Sequence, residues 1–386
     1  MPSVQLLMSI VGFACLGVAA GYALIMVVAT LAWRMQRRQI SSLPRTPITL
    51  LKPLCGAEPG LYEHLRTFCR QDYPQFQVVF GVRDAGDPAC AVVERLAAEF
   101  PSVPIELVID PRLHGNNLKI SNLINMLAYA RHDIIVMADS DAYVESDYLA
   151  AVTAPLQDPD VGLVTCIYRG MPTGSLWSRL GAMYINEWYV PSVMLAWLFG
   201  HQGYVSGQTI CLRRDTLQAI GGLQALTDHL ADDYRLGELV RRLGLRIVLS
   251  PYLVRGLHHE PNLDSLTRHE LRWMRTIRVL QPLGFRLVFV TFSLPLAAFG
   301  IAGTAAGSSL SAVALGLFGI TAASRLLLHF AHRLDDDRVA TSDLWLLPLR
   351  DFLIGWVWFR SFFTSHVTWR GNEFAVDADG VMHSLY

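Results

Sequence analysis

Lysine is nearly absent from this chain. Lys52 and Lys119 stand alone among 32 basic residues, and the rest are arginines. That bias reads first as genome composition. Charge of either sign is scarce: 17% of the 386 residues are charged against 52% hydrophobic, and mean hydropathy is +0.32. Disordered chains are polar and charge-rich, so disorder is excluded. With 32 basic and 33 acidic residues, no broad basic surface for nucleic acid is expected. The six cysteines include no CxxC pair, which argues against a disulfide frame or zinc site and fits a reducing cytoplasm. Neither a GxGxxG after a strand nor a GxxxxGK[ST] occurs. Dinucleotide dehydrogenases and P-loop NTPases are thereby disfavoured.

Long apolar runs are plentiful. No charge precedes Arg34, and residues 6–33 form one apolar stretch. A helix of ~20 residues crosses the ~30 Å hydrocarbon layer. The stretch lacks a basic leader and is too long for a signal-peptide core, so residues 1–33 read as an uncleaved anchor. Arg34, Arg37, Arg38 and Arg45 follow without an acid, which places the next domain in the cytoplasm. Residues 287–324 are also uncharged. Gly303, Gly307, Ser308 and Ser309 offer a turn between two crossings, 287–305 and 309–330, and Arg325, Arg333 and Arg338 flank the return. Pro348, Arg350 and Asp351 interrupt the apolar region 344–363. A full span must bury or pair those charges; an interfacial or re-entrant helix avoids most of that cost. The expected order is an anchor (1–33), a cytoplasmic domain (46–281), membrane helices (287–364) and a polar tail (365–386).

Within 46–281 strands and helices alternate. Strand signals lie at 48–54, 77–84, 105–110 and 133–141, and helical ones at 61–71, 88–100 and 118–130. This rhythm predicts an α/β fold with a doubly wound, mainly parallel sheet. Ligands of such sheets sit beyond the carboxyl ends of the strands. Asp84 ends one strand, and Asp139 and Asp141 end another.

Residues i and i+2 share a face of an extended chain, so Asp139 and Asp141 can point into one crevice and hold Mg²⁺ or Mn²⁺ against a diphosphate. The plain alternative is a solvated turn. Asp84 reads either as a nucleotide contact or as a cap for the helix after Pro88. Asp232 and Asp233 open an amphipathic helix, where acids suit the dipole. Asp233 is the better candidate for a general base and Asp232 for a cap. Arg268, Arg272 and Arg275 share a helix face, which suits anionic lipid or a diphosphate clamp by Arg272 with Trp273 as a stacking platform. Residues 175–200 are rich in Trp and Tyr and read as a core helix or as one dipping into the headgroup layer. His258 and His259 point to opposite faces of a strand, and no metal is assigned there.

Asp84, the Asp139-Ser140-Asp141 triplet, Asp233 in ADDYRLG and the LRW around Arg272-Trp273 resemble the D, D, D, (Q/R)xxRW signature of membrane-bound inverting glycosyltransferases of families 2 and 21. GNNLKISNL (115–123) and YVSGQTICLRRDTLQAIGGL (204–223) resemble ceramide glucosyltransferases and, equally, bacterial hopanoid-biosynthesis glycosyltransferases. The likeness covers about residues 1–330. It implies a GT-A-like domain in which Asp84 and Asp139 bind a UDP-sugar, Asp141 binds a divalent cation and Asp233 is the base. Lys119 would lie near the donor, and Arg272 and Trp273 in the diphosphate- or product-binding segment. His269 stands where the family has Gln or Arg. Asp141 stands where ceramide enzymes commonly have Gly, which leans toward the bacterial relatives.

The resulting expectation is a multi-pass protein of a bacterial cytoplasmic membrane. It would transfer one glucose or N-acetylglucosamine from a UDP-sugar to the hydroxyl of a membrane lipid. The rivals are a processive polysaccharide synthase, for which few apolar segments leave little channel, and a catalytically silent lipid-binding scaffold.

Overall fold

A computed structural model describes residues 2–35, 46–201, 203–307, 310–333, 343–364, 366–369 and 372–385. Arg37, Arg38, Arg45, Ser308, Ser309 and Arg338 lie outside the described residues. The chain divides into two compact units. A helical unit comprises 1–36, 172–199 and 260–373, and a sheet unit comprises 37–171, 200–259 and 374–386.

Helix α1 (Pro2–Arg34) opens the helical unit. The sheet unit follows with β1 (Ile48–Pro53), α2 (Leu61–Cys69), β2 (Phe76–Val82) and α3 (Ala89–Glu99). Next come β3 (Ile105–Ile109), α4 (Leu118–Leu127), β4 (Ile134–Met137), β5 (Ala142–Tyr143), α5 (Tyr148–Thr153) and β6 (Val161–Pro172). The helical unit resumes with α6 (Leu176–Tyr184), a π-helical turn (Ile185–Tyr189) and α7 (Val190–Leu198). The sheet unit then takes β7 (Ile210–Arg213), α8 (Arg214–Ala219), α9 (Asp232–Arg242) and β8 (Arg246–His258). Helices α10 (Leu263–Leu280), α11 (Pro282–Leu287), α12 (Ser293–Ala306), α13 (Ala312–Arg333) and α14 (Leu346–Arg360) complete the helical unit.

The eight-stranded sheet has the order β3-β2-β1-β4-β7-β6-β8-β5. Its first four strands are parallel, as the alternation predicts. Strand β7 then joins β4 antiparallel, so the sheet is mixed. Strands β2 and β4 are buried at every residue, which is why they read as unbroken apolar runs. Helix α4 lies close over β2: a Cβ at Gly81 would meet Asn122 and Met126 at 2.4 Å, and Asn122 Nδ2 donates to the Gly81 carbonyl at 2.8 Å. Phe68, Tyr148 and Tyr252 meet edge to face in the core at 5.5 and 5.4 Å. The polar tail returns here, Met382 N donating to the Asp228 carbonyl at 2.7 Å.

In the helical unit, Ser3–Arg34 and Ala312–Ala331 are long and apolar enough to cross a membrane, and Pro282–Thr291 with Ser293–Ala306 form a pair bent by 68°. The first of the two expected crossings is therefore broken. Pro295 supplies the reason: it has no N–H for the Thr291 carbonyl, and its ring crowds that carbonyl, so a new helix starts just before it. Gly12 and Gly300 let α1 and α12 touch backbone to backbone, since a Cβ on Gly12 would lie 2.7 Å from the Gly300 oxygen.

Candidate active site at the carboxyl edge of the sheet

Strands β1, β2, β3 and β4 are parallel, so their carboxyl ends share one edge. Asp139, Ser140 and Asp141 follow β4 there. Lys52, in the central strand β1, has no exposed surface. Its Nζ donates to the Asp139 backbone carbonyl and lies 3.7 Å over the Phe68 ring. Burial lowers its pKa to about 7, against the opposing pull of Asp139 and Asp141. Lys119 comes from the first turn of α4, which Asn117 caps by accepting from Ile120 N at 3.0 Å. Its Nζ lies 2.6 Å from Asp139 Oδ1 and 3.6 Å from Asp232 Oδ2. Burial pulls the Lys119 ammonium down, but Asp139, Asp232 and Asp233 outweigh it and hold its pKa above the ordinary value. Both lysines of the chain thus meet at Asp139.

The third arm is the turn 206–209, brought to β4 by the antiparallel pairing of β7, with Ile210 opposite Met137. Gly207 N donates to Asp233 Oδ2 at 3.1 Å, and Gln208 Nε2 to Asp141 Oδ1 at 2.9 Å. A Cβ on Gly207 would stand 2.8 Å from Lys119 Nζ and 2.9 Å from Asp139 Oδ2, so a side chain there would push into the pair. The turn therefore lies against Asp139, Asp141 and Asp233, while Asp84 stands apart from it.

Carboxylates exceed cations at this edge. Burial first, and Asp139 next, raise the Asp141 pKa to about 6. Burial first, and Asp232 next, raise that of Asp233 to about 6. Ser140 Oγ donates to Glu58 at 3.3 Å, adding another acid. Such an excess favours a proton or a cation. Among the described residues no group of three or more His, Cys, Asp or Glu is arranged to hold a metal. The donor set still fits Mg²⁺ or Mn²⁺, which are commonly held by one or two carboxylates plus substrate phosphates. Asp139 and Asp141 would supply the carboxylates, and the buried Gln208 Oε1 has no hydrogen-bond partner among the described residues.

Asp84 is exposed at the end of β2, two strands from β4 on the same edge. Its Oδ1 accepts from Gly86 N at 2.9 Å. It does not cap α3; Asp87 instead accepts from Ala89 N at 2.9 Å and anchors Gly56 N at 2.9 Å. Asp232 is no side-chain cap either, since Ala231 occupies the N-cap of α9; it serves Lys119 and Asn117.

Arg272 and Trp273 belong to the helical unit, on α10. Trp273 stacks on Tyr184 at 5.4 Å and meets His269 at 4.2 Å. His269 Nδ1 pairs with Glu260 at 2.7 Å, so the residue at the Gln/Arg position is tied to a buried acid. Arg275 donates to the His366 carbonyl at 2.7 Å and Arg278 to that of Thr364 at 3.0 Å. Those two guanidiniums hold the chain beyond α14.

Sequence reasoning missed Lys52, Gly207 and Gln208. The rarity of lysine was a signal for the first. The segment holding the other two, 204–223, carries part of the family resemblance, but its local pattern assigns Gly207 and Gln208 no individual role.

The family model described as Glycosyl transferase family 21 matches residues 13–382. Ceramide glucosyltransferase 3 of Caenorhabditis elegans is 24% identical over 62% of this chain and 51% of its own length. Ceramide glucosyltransferase 1 of the same organism is 23% identical over 53% and 44%. The chain thus spans about half the length of these curated relatives. A mannosyltransferase from Pyrobaculum calidifontis, solved with GDP-Man and Mn²⁺, superposes with a TM-score of 0.54 at 20% identity, covering 89% of this chain and 99% of that one. The likeness shows a shared GT-A-like fold.

Proposed function

Because the chain belongs to glycosyl transferase family 21, we propose that it transfers a single hexose or N-acetylhexosamine from a UDP-sugar to a hydroxyl of a membrane lipid, ceramide-like or hopanoid. The observation that carries this is the convergence of Asp139, Asp141 and Asp233 on the turn 206–209 at the carboxyl edge of the sheet.

In this reading Asp84 and Asp139 hold the nucleotide-sugar. Lys119 and Lys52 fix the Asp139 side chain and carbonyl, so the carboxylate does not swing when the donor arrives. A divalent cation held by Asp139 and Asp141, with Gln208 beside them, would neutralise charge on the diphosphate. Asp233 Oδ1 and Oδ2 already accept from Tyr234 N at 2.7 Å and Gly207 N at 3.1 Å, which orients the carboxylate. Its pKa near 6 leaves it ionised at neutral pH and more basic than an ordinary aspartate. It takes the proton of the lipid hydroxyl as that oxygen attacks the anomeric carbon. The bond from that carbon to the diphosphate oxygen breaks, UDP departs, and one displacement inverts the configuration. Arg272 and Trp273 are assigned to the diphosphate or product. The membrane helices raise the local concentration of a lipid acceptor, consistent with a multi-pass protein of a bacterial cytoplasmic membrane.

The test incubates membranes containing the chain with UDP-glucose or UDP-GlcNAc against ceramide and hopanoid acceptors. Mass spectrometry of the extract should show a lipid heavier by one sugar. Polymer as the product, or undiminished turnover by Asp233→Asn, would overturn the reading.

A further inference from the structure

Beyond α14 the chain forms a hairpin within the sheet unit, with Phe374 opposite Ser384 and Val376 opposite Met382. Its turn holds its own shape. Asp377 Oδ1 accepts from Asp379 N and Val381 N, both at 3.0 Å, the pattern by which aspartate closes a tight turn. Gly380 supplies the φ of 79° that the turn needs. A turn shaped in advance loses little freedom when another segment docks on it. That segment is 227–230. Met382 N donates to the Asp228 carbonyl at 2.7 Å, and Leu230 N to the Gly380 carbonyl at 3.1 Å. His229 stands antiparallel to Val381 between these bonds.

The same residues are held a second time, by the entry to α4. Asn117 N donates to the Thr227 carbonyl at 2.7 Å, and Asn117 Nδ2 to the His229 carbonyl at 2.9 Å. Asn116 joins all three segments. Its backbone N and its Nδ2 donate to Asp228 Oδ1 at 2.9 and 3.0 Å, and Nδ2 donates also to the Met382 carbonyl at 2.9 Å. The fit is close: a Cβ on Gly115 would stand 2.7 Å from the Thr227 oxygen and 2.9 Å from Asp228 Oδ1. Lys119 follows Asn117 in the first turn of α4 and pairs with Asp139 at 2.6 Å. Asp232 and Asp233 open α9 just after 227–230. Crowded carboxylates repel one another, and a restraint on the backbone that carries them opposes that repulsion from outside the cluster. We propose that Asn116, Asp228 and the hairpin 374–384 are positioning elements that set Lys119 and Asp233 for the transfer reaction. The inference rests on the function proposed above.

The test uses the full chain in phosphatidylcholine nanodiscs and two readouts: sugar transfer per folded molecule, and hydrogen–deuterium exchange of peptides covering 115–121 and 227–234. Asn116→Ala should lower kcat about tenfold, since a misplacement of ~1 Å can cost about 10²-fold. It should also raise the KM for UDP-sugar, because Lys119 no longer fixes Asp139. A role in folding alone would lower the amount of folded protein and leave both constants as they are. Asp377→Ala, which loosens the turn far along the chain from the carboxylates, should act in the same direction more weakly. Asp377→Asn keeps an oxygen for the two turn bonds and should restore the parent rate. Asn116→Ala and Asp377→Ala together should cost little more than Asn116→Ala alone, since both cut one chain of bonds. Exchange should rise at both peptides in each Ala variant. Parent kcat and KM in both Ala variants, unchanged exchange at both peptides, or equal losses in Asp377→Ala and Asp377→Asn would each overturn the inference. Asp377→Ala decides the matter if Asn116→Ala does not fold. A parent chain that transfers no sugar sinks the function proposed above, and the exchange then still decides whether the hairpin holds the two segments.

Discussion

At the edge of the sheet, Asp139, Asp141, Asp232 and Asp233 crowd two lysines, and two of the carboxyls are pushed up to about 6. Inside the helical unit, Glu270 faces Arg350 one to one through bonds of 2.6 and 2.8 Å, both side chains nearly without exposure. The first cluster is unbalanced and built from flexible ammonium groups. The second is balanced and uses the planar fork of arginine, which matches a carboxylate in two bonds. An unbalanced cluster has affinity left over for a proton or a ligand. A balanced one has only its own pair to keep, and breaking it leaves a bare buried charge.

The largest effect expected from breaking the contrast is on chemistry. Asp233→Asn should cut turnover by about 10²–10⁴-fold, the usual worth of a general base, measured as single-sugar transfer. The same variant has two opposing effects on stability. A carboxyl raised to about 6 stabilises the fold below the ordinary carboxyl pKa and loses that contribution as pH rises through 6. At pH 7.5 the Asn variant escapes that loss, but its amide can accept from only one of the Tyr234 and Gly207 N–H groups, so the two effects offset and the stability should stay within about 1–2 kcal/mol of the parent. Normal turnover would place Asp233 outside the chemistry. Arg350→Met should do the reverse, destabilising by about 3–5 kcal/mol through an orphaned Glu270. Adding Glu270→Leu should recover most of that in a thermal melt.

A smaller effect is the acid limb of the rate. As pH falls below about 6, Asp233 and Asp141 take up protons, and turnover should drop about tenfold per unit for each carboxyl that must be ionised. In Asp233→Asn the limb attributable to that group should vanish from the residual rate. A flat profile down to pH 4.5 would show that neither carboxyl must be ionised.

The strand-helix alternation was legible because β2 and β4 are buried on both sides and leave continuous apolar runs. Asp139 and Asp141 were legible because they end such a run. The turn 206–209 was not, since its meaning depends on β7 pairing with β4 across more than sixty residues. No local pattern encodes that pairing. Lys52 was hidden for a related reason: a lysine inside an apolar strand reads as an exception until β1 is seen beside β4. The bend before α12 escaped notice because an uncharged run of 38 residues advertises length, whereas Pro295 sets the break through one missing N–H.

The finest distinction concerns two glycines, one in each region. A Cβ on Gly319, in α13, meets nothing within 4 Å. Gly319→Ala should therefore stabilise the helix by about 0.5–1 kcal/mol and leave turnover unchanged. A Cβ on Gly207 meets the Lys119 ammonium and the Asp139 carboxylate, which are themselves 2.6 Å apart. Its backbone does not require a positive φ, so the strain in Gly207→Ala is steric and falls on that pair. Overpacking costs about 1–3 kcal/mol, against about 0.4–1 regained from a stiffer unfolded chain. The net change in stability should be no more than about 2 kcal/mol, with turnover falling further than that loss of folded protein explains. If Gly207→Ala instead behaves like Gly319→Ala, with normal transfer and a raised melting point, the turn is a bystander and the carboxylates do not meet around it.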